Sequence, residues 1–469
     1  MKSGSGKEVL RVAWPLIIST ASFSVMQFCD RAFLAHYSGD ALRAVVPSGI
    51  LAFTLICGFR ALVAYSNTFV AQYYGAGEHK LCSLATMQGV ILSFLLWPVI
   101  LTLIPLGRGL LMLANHSPPV LADELNYFTL IMLGSITNIL GIAAASFFIG
   151  RGKTIFLMTV LIFANSLNVA LDYALIFGKW GFPSLGIRGA AIGTVVSGST
   201  IPLLLLTLFF SKACDRKFAT RAAVKFKFGM MKRMIRFALP SGISFAIHIG
   251  SFAFFVVMVG RLGPVALAAS NIALSVNLFA FMPMIGLGLA AQTLTGQYLG
   301  AKDPDSAARA VFSSLKIGVV YIILIGITFV LMPHQYIALF TGSGDSVIHS
   351  DQVFECVRIL MLFLVVRGLA DIVDIILSSA LKGAGDTKFV MIFSVATAWL
   401  MLGVGEYLII EVFKSNIYVA WGWSILYLIV TATGYALRFH AGNWRNIDLM
   451  GIELPEPLSA DIEAISAIE

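Results

Sequence analysis

Residues 72–76 read Gln-Tyr-Tyr-Gly-Ala, and residues 297–301, which lie 225 positions further along, read Gln-Tyr-Leu-Gly-Ala. Pro15 and Pro240 are separated by the same distance. A looser match relates residues 150–154, Gly-Arg-Gly-Lys-Thr, to residues 382–387, Lys-Gly-Ala-Gly-Asp-Thr. Three correspondences in the same order indicate that the chain is an internal duplication, with a second half that repeats the plan of the first.

The composition places the duplicated chain in a membrane. Of its 469 residues, 58% are hydrophobic and only 12% are charged, and the mean hydropathy of +0.90 excludes a soluble globular protein. A helix of about 20 apolar residues crosses about 30 Å of hydrocarbon. Twelve segments meet that requirement: 8–36, 43–73, 84–106, 124–150, 154–177, 187–210, 232–262, 266–299, 306–332, 352–382, 388–412 and 417–439.

The loop between the sixth and seventh segments sets the predicted orientation. Residues 211–236 carry nine basic side chains against one acid, Asp215, so the positive-inside rule places this loop in the cytoplasm. The basic side chains are Lys212, Arg216, Lys217, Arg221, Lys225, Lys227, Lys232, Arg233 and Arg236. Counting helices outward from the loop places both chain termini in the cytoplasm. We expect a multi-pass protein of the cell membrane, the inner one where there are two.

Six helices in each half is an even number, so both halves enter and leave the membrane in the same direction. The predicted fold is therefore an all-α membrane protein of twelve transmembrane helices, in two six-helix lobes related by a pseudo-twofold axis along the membrane normal. The predicted divisions are an N-lobe at 1–225, which includes the basic linker, a C-lobe at 226–440, and an acidic cytoplasmic tail at 441–469.

Several classes of function find no support in the sequence. The loops leave no room for a basic domain, so we expect no nucleic-acid partner. The five cysteines have no CxxC spacing, so neither a zinc site nor a disulfide framework is indicated. Residues 147–154 imitate a P-loop but have Phe147 where the first glycine is required. We predict a monomer in contact with lipid that is not an enzyme and has no cofactor other than a coupling ion.

Asp30 and Asp172 are the most informative polar residues in the apolar segments. A charge in hydrocarbon costs at least about 2.5–3.5 kcal/mol and usually marks an ion, proton or substrate pathway. Both carboxylates lie a few residues before the outer end of an outward-running helix, so they share a depth in the membrane. Asn168 lies on the same face of its helix as Asp172, at i,i+4 spacing, and Thr194 follows at a similar depth. Together Asp30, Asn168, Asp172 and Thr194 offer hard oxygen ligands for either sodium or a shared proton.

Two features of this half have a second interpretation. The carboxylates can simply pair with Arg31 or Arg60, of which Arg60 is the stronger competitor because it lies near the middle of its helix. Pro15 interrupts the backbone hydrogen bonds of the first helix and is either a hinge or only a packing feature.

The second half carries different polar groups. His248 lies in the seventh helix, and the tenth helix contains Arg367, Asp371 and Asp374. The i,i+4 spacing of Arg367 and Asp371 predicts an intrahelical ion pair, and the alternative is a substrate-binding or proton-relay role for His248, Asp371 and Asp374. Lys316 and Glu406 lie nearer to helix ends, and we expect them to snorkel or to line water. Without an equivalent oxygen cluster, coupling is predicted to belong to the first half alone.

The chain resembles multidrug and toxic compound extrusion (MATE) transporters over about residues 8–440. The resemblance rests on residues 168–178, Asn-Val-Ala-Leu-Asp-Tyr-Ala-Leu-Ile-Phe-Gly, on the glycine-rich start of the next helix, and on the motifs that are repeated between the halves. It implies a twelve-helix secondary active efflux antiporter, which exports amphipathic, often cationic, compounds in exchange for inward protons or sodium ions.

The resemblance also assigns roles to residues. The coupling site of the family corresponds here to Asp30, Asn168, Asp172, Ala190 and Thr194. The helix-one proline that bends on protonation corresponds to Pro15. Family members with a site in the second half carry a helix-seven glutamate where this chain has His248, and their helix-ten aspartate corresponds to Asp371. The missing glutamate again points to the first half.

Three other functions remain as alternatives. A flippase of lipid-linked saccharides from the same superfamily is the nearest, and for it we expect a cavity richer in arginine and lysine. A membrane enzyme is a second alternative, for which Asp371-x-x-Asp374 is the only suggestive motif. A passive channel is the third, and the two-lobe duplication argues against it.

Overall fold

The fold was obtained as a computed structural model, which describes residues 4–114, 116–338 and 351–451, apart from the side chain of residue 279. We label the long helices α1 to α12 in chain order. They are α1 (Gly6–Tyr37), α2 (Gly39–Gly75), α3 (His79–Leu101), α4 (Pro118–Gly150), α5 (Thr154–Phe177), α6 (Ile187–Phe209), α7 (Phe228–Gly260), α8 (Pro264–Gly300), α9 (Pro304–Leu331), α10 (Asp351–Ala384), α11 (Thr387–Val412) and α12 (Ile417–His440). Short helices cover Ile104–Leu113, Lys212–Phe218, Pro333–Ala338 and Asn443–Asn446.

The prediction of twelve long helices is confirmed, and each lies over its predicted segment. Among the described residues, ten helices are individually long and apolar enough to cross a membrane, and α8 joins them when its two parts are taken together. The remaining helix is α10, which has 34 residues and carries Arg367, Asp371 and Asp374 in its interior. Those three charges reduce its apolar character, so it is recognised as a span from its length and its place in the fold.

The two halves repeat the same helix packing. In the first half α1 packs on α5, α2 on α4, and α4 on α6, and in the second half α7 packs on α11, α8 on α10, and α10 on α12. The halves meet where α1 packs on α8 and where α7 packs on α2. Each of these two contacts becomes the other when the halves are exchanged, as a pseudo-twofold axis between them requires. The duplication seen in the sequence is thus a duplication of the fold.

The repeated motif lies where α2 crosses α8, at the end of the bundle that carries linker residues 211–227. We call this the linker end, and the opposite end the far end. A Cβ atom on Gly75 would lie 1.8 Å from the carbonyl oxygen of Gln297, and one on Gly300 would lie 2.0 Å from that of Gln72. Each glycine therefore packs directly on the backbone of the other copy of the motif. Glycine is required because any side chain would separate the helices.

Reciprocal hydrogen bonds fasten this crossing. Gln72 Nε2 donates to the carbonyl of Gly383 at 3.0 Å, and Gln297 Nε2 donates to the carbonyl of Gly150 at 2.7 Å. Each glutamine thus binds the end of a helix in the opposite half. Gln72 is buried and Gln297 is partly buried, so these bonds also meet hydrogen-bonding needs that water satisfies poorly there.

Two further hydrogen bonds lie one helical turn deeper in the membrane, and each becomes the other when the two halves are exchanged. Asn67 Nδ2 donates to Thr293 Oγ1 at 3.3 Å, and Gln292 Nε2 donates to Thr68 Oγ1 at 2.8 Å. Asn67 and Gln292 are 225 residues apart, and so are Thr68 and Thr293. The contacts at the crossing of α2 and α8 therefore occur in nearly symmetric pairs, and they hold the two halves together at the linker end.

The linker is fixed to the first half by Gln88 of α3. Its Nε2 donates to the carbonyl of Lys225 at 2.7 Å, and its Oε1 accepts from the backbone N–H of Lys227 at 3.1 Å. The guanidinium of Arg151, at the end of α4, lies 4.3 Å from the ring centres of both Phe147 and Phe218. The basic linker thus packs against the first half through both backbone and aromatic contacts.

The segment after α12 packs on the linker end. Trp444 stacks on Phe439 with ring centres 4.7 Å apart, and Arg445 forms an ion pair with Asp305 at 3.1 Å. The first residues of the predicted tail, 441–451, are thus part of the folded structure. The acidic residues 452–469 lie outside the described residues.

Replacing Gly75 by alanine tests the crossing of α2 and α8. The added methyl group would overlap the backbone of Gln297, and overpacking of this kind costs about 1–3 kcal/mol. We expect a lower apparent unfolding temperature for the purified protein in detergent. Gly250→Ala is the matched control, because nothing lies within 4 Å of the place that its added methyl group would occupy. Equal unfolding temperatures for the two variants would contradict the tight crossing.

Candidate functional site

The side chains of Asp30 and Asp172 meet between α1 and α5. The two carboxyl groups lie within hydrogen-bonding range of each other. Asp172 is fully buried, whereas Asp30 is partly exposed. Two ionised carboxylates repel each other strongly in a medium of low dielectric constant. A proton or a cation between the two groups would offset this repulsion.

Asn168 completes the polar group on α5. Its Nδ2 donates to Asp172 Oδ1 at 3.4 Å, as the i,i+4 spacing predicts. Three buried oxygens have no hydrogen-bond partner among the described residues: Asp30 Oδ1, Asn168 Oδ1 and Asp172 Oδ2. Buried acceptors without partners are costly, so this group of oxygens fits an occupant that carries positive charge.

The start of α6 forms the wall behind Asp172. A Cβ atom on Gly193 would lie 2.1 Å from Asp172 Oδ1, so the carboxylate packs directly on the α6 backbone. Ala190 is buried one turn earlier. The Thr194 hydroxyl donates to the carbonyl of Ala190 at 2.9 Å. The structure thus places Ala190 and Thr194 on the helix that backs the carboxylates, with the Thr194 proton engaged within its own helix.

The sequence analysis did not identify two polar residues that lie near the carboxylates. Tyr127 of α4 lies within electrostatic range of both carboxylates, and nothing in the sequence indicates which helix faces them. Asn165 Nδ2 donates to Ser22 Oγ at 2.8 Å and joins α5 to α1 below the carboxylates. Asn165 precedes Asn168 by three residues, so their shared helix face could have identified Asn165 from the sequence.

The alternative in which arginines neutralise the carboxylates is wrong for Arg60. Its guanidinium lies 5.6 Å from the ring centre of Phe53, in a cation–π arrangement. Arg31 lies within electrostatic range of Asp30, but among the described residues neither Asp30 nor Asp172 has an ion-pair partner. The carboxylates are therefore available to bind an ion.

α1 is a continuous helix through Pro15 and is attached to α5 along its length. Near the proline, Thr154 Oγ1 donates to the carbonyl of Val12 at 3.0 Å, and Ser19 Oγ donates to the carbonyl of Pro15 at 2.7 Å. At the far end, the Phe33 ring lies 6.1 Å from the Phe177 ring. The Asp30–Asp172 contact thus lies between two fixed ends of one helix–helix interface.

In the second half the predicted pair of Arg367 and Asp371 is confirmed, with Nε and Oδ2 3.3 Å apart, although the two groups are not aligned as a hydrogen bond. His248 of α7 lies within electrostatic range of Arg367, and Asp374 within range of Asp371. Asp374 Oδ1 is buried and has no partner among the described residues. The ion pair with Arg367 thus offsets the charge of Asp371, and His248 and Asp374 lie in its electrostatic surroundings.

Comparison with known proteins identifies the family. A family model described as MatE matches residues 15–174 and 240–408, which is most of the chain. The chain belongs to the MatE family. It is thus a multi-pass membrane protein of the MATE transporters, as the resemblance implied.

Relatives and solved structures agree with this assignment. A probable multidrug resistance protein NorM of Thermotoga maritima is 26% identical over 440 residues, which are 93% of each chain. The multidrug resistance protein NorM of Burkholderia vietnamiensis is 28% identical over 438 residues, covering 93% of this chain and 87% of the relative. An outward-facing multidrug resistance MATE family transporter of the MOP superfamily has the same fold, with a TM-score of 0.85, 18% identity, and 95% and 99% of the two chains covered.

One residue of this MATE chain departs from its sequence prediction. Glu406 of α11 does not snorkel, because its side chain is completely buried. Both of its carboxylate oxygens have no hydrogen-bond partner among the described residues. Lys316, which was also expected to snorkel or to line water, is exposed.

The Gly193→Ala substitution tests the carboxylate site from its back wall. A methyl group would displace Asp172 at a cost of about 1–3 kcal/mol, so the site should bind its ion roughly 5- to 150-fold more weakly. The measurement is the ion concentration that half-saturates transport of tetraphenylphosphonium into proteoliposomes. Gly198→Ala on the same helix is the control, since its nearest neighbour is a side-chain atom 3.5 Å away. Identical ion dependence in the two variants would remove Gly193 from the site.

Proposed function

We propose that this MATE family member is a secondary active efflux antiporter, which exports amphipathic organic cations in exchange for inward protons or sodium ions. The observation that carries the proposal is the contact of Asp30 and Asp172, which requires a positive ion between them. The multidrug resistance names of the relatives support efflux of drugs or metabolites.

The charge of the linker supports an orientation. Basic residues are concentrated between α6 and α7, so we propose that the linker end faces the cytoplasm and that both termini lie there. Most hydrogen bonds that join the halves within the described residues lie around the α2–α8 crossing and the first turns of α1. One more lies near the middle of α1 and of α8, where Thr20 Oγ1 donates to the carbonyl of Met282 at 3.1 Å. With that end closed, the conformation is the outward-facing one, ready to take an ion from outside and to release substrate there. We expect a monomer in the cell membrane.

The coupling step follows from the packing of α1. An ion bound between Asp30 and Asp172 holds α1 against α5, and its loss leaves two carboxylates that repel each other across that interface. The movement of α1 then changes the cavity between the halves, which displaces the organic cation when the ion binds from outside. Pro15 supplies a position where α1 can bend, because its nitrogen donates no backbone hydrogen bond.

Both candidate ions suit the ligand set. A proton needs only two oxygens in contact, and Asp30 and Asp172 provide them. Sodium prefers several hard oxygens, and Asn168 and the lone pairs of Thr194 extend the set. Among the described residues no group of three or more His, Cys, Asp or Glu side chains is arranged for a metal ion.

Neutralising Asp172 tests the proposal. In the Asp172→Asn variant only the Asp30 carboxylate remains, so no repulsion between two charges has to be offset by an ion. Ion binding then no longer controls the packing of α1, and gradient-driven efflux should be abolished. The measurement is efflux of a fluorescent organic cation from proteoliposomes under separately imposed proton and sodium gradients. The gradient that drives the wild type identifies the coupling ion. Asp40→Asn is the control, because Asp40 forms only an exposed ion pair with Arg43. Wild-type efflux in the Asp172→Asn variant would contradict the proposed function.

The hinge role of Pro15 has its own test. Pro15→Ala restores a backbone donor and stiffens α1, so transport should fall while the unfolding temperature is kept or raised. Pro98, exposed within α3, is the control position, and Pro98→Ala should transport normally. Unchanged transport in Pro15→Ala would leave the proline as a packing feature.

A further inference from the structure

Glu406 is a buried carboxyl group that the proposed coupling site does not use. Its side chain is fully buried, and neither carboxylate oxygen has a hydrogen-bond partner among the described residues. A carboxylate with its charge in such a place would cost several kcal/mol, on the order of the penalty for an uncompensated ion in a membrane. The group is therefore neutral in this conformation, which means that it carries a proton.

The neighbours of Glu406 suit a proton and not a metal cation. Leu402 and Ile410 lie one turn before and one turn after it on the same face of α11. Ile410 packs in a cluster with Met258 of α7 and Ala420 of α12, and Leu402 packs in another apolar cluster. Sodium would require several further oxygens, whereas a proton requires only the carboxyl group itself.

Among the described residues no charged side chain on the surrounding helices forms an ion pair with Glu406. Without an ion pair or a hydrogen-bond partner among the described residues, Glu406 has no contact that would stabilise its ionised form. Glu411 pairs with Arg261 and Lys414, and Arg367 pairs with Asp371. The other titratable side chains on α7, α10, α11 and α12 are Lys232, Arg233, Arg236, His248, Asp351, Glu355, Cys356, Arg358, Asp374, Lys382, Lys388, Tyr407, Tyr418, Tyr427, Tyr435, Arg438 and His440.

The duplication places Glu406 at the position of Asp172. Asp172 is the eighteenth residue after Thr154, where α5 begins, and Glu406 is the nineteenth after Thr387, where α11 begins. A tyrosine follows each carboxylate, and the two ranges matched by the family model, 15–174 and 240–408, both end two residues after it.

A local change in helix geometry accounts for the extra residue. α11 is a π-helix over Ala398–Gly405, directly before Glu406, and continues as a π-helix over Leu408–Val412. A π-turn contains more residues than an α-turn, so it absorbs an insertion and restores the register of the residues after it. Such insertions are frequent at functional sites. Glu406 therefore corresponds to Asp172 although it lies one residue further from the start of its helix.

We propose that Glu406 is a second proton-binding site, the counterpart of Asp172 in the second half, and that it exchanges its proton with water when the halves rearrange. The exchange breaks the carboxyl O–H bond, transfers the proton to water and leaves a carboxylate. This step rests on the proposed alternation between conformations, since the group is sealed in the present one. Proton binding itself does not depend on the antiport proposal.

Infrared spectroscopy of the purified protein in lipid tests whether the proton is present. At neutral pH the wild type should show C=O stretching absorption from protonated carboxyl groups, and the Glu406→Gln variant should lose the component that belongs to Glu406. Glu411→Gln is the control, because Glu411 is ion-paired at the end of the same helix and its removal should leave the band unchanged. A band that is identical in the wild type and in a folded Glu406→Gln protein would overturn the proposal.

Two additions keep the test decisive. If Glu406→Gln does not fold, Glu406→Asp retains a carboxyl group and should shift the band and not remove it; an unshifted band would overturn the assignment. On transfer to deuterated buffer, the band of the folded wild type should move slowly to the deuterated frequency as the protein opens. A band that never moves would overturn the exchange step. Neither infrared measurement uses a substrate or an ion gradient. Failure of the Asp172→Asn efflux test would therefore leave the assignment of a proton to Glu406 unaffected.

Discussion

The repulsion between two carboxylates in a medium of low dielectric constant is the constraint on which the proposed function of this fold depends. Asp30 and Asp172 lie within hydrogen-bonding range of each other, on two helices that are also joined below the site by Asn165 and Ser22. With a positive ion between the carboxylates this interface is stable, and without it the same contact favours separation. In the proposed mechanism, ion binding and helix packing are therefore one equilibrium, through which a gradient of the ion drives a movement of α1.

That movement is useful only if another part of the molecule stays closed. The crossing of α2 and α8 provides the closure, through Gly75 and Gly300 packed on the opposite backbone and glutamines that each bind the other half. The contacts occur in reciprocal pairs, because the same residues were duplicated and then brought together by a twofold arrangement. The candidate ion site near the far end and the crossing at the linker end are thus at opposite ends of the same bundle.

The two halves keep the same helix packing but have diverged in their chemistry. The first half assembles Asp30, Asp172 and Asn168 from two helices, whereas the second half pairs Arg367 with Asp371 within one helix. The sequence suggested that the second half has no equivalent of the oxygen cluster in the first half. The π-helix in α11 changes that view, because it carries Glu406 into the place of Asp172, in apolar surroundings. Divergence after the duplication therefore left Glu406 in surroundings that suit a proton and not a metal cation.

The sequence by itself determined the twelve helices, the duplication and the shared face of Asn168 and Asp172, because these follow from segment length, from repetition and from the 3.6-residue period of a single helix. It did not determine that Tyr127 approaches the carboxylates, that Gly193 forms their wall, or that Arg60 turns to Phe53 and away from them. Those contacts join helices far apart in the chain, and every apolar face of a membrane helix is compatible with several neighbours. Only the packing of the whole bundle selects among them, and only that packing revealed that Glu406 is sealed from water.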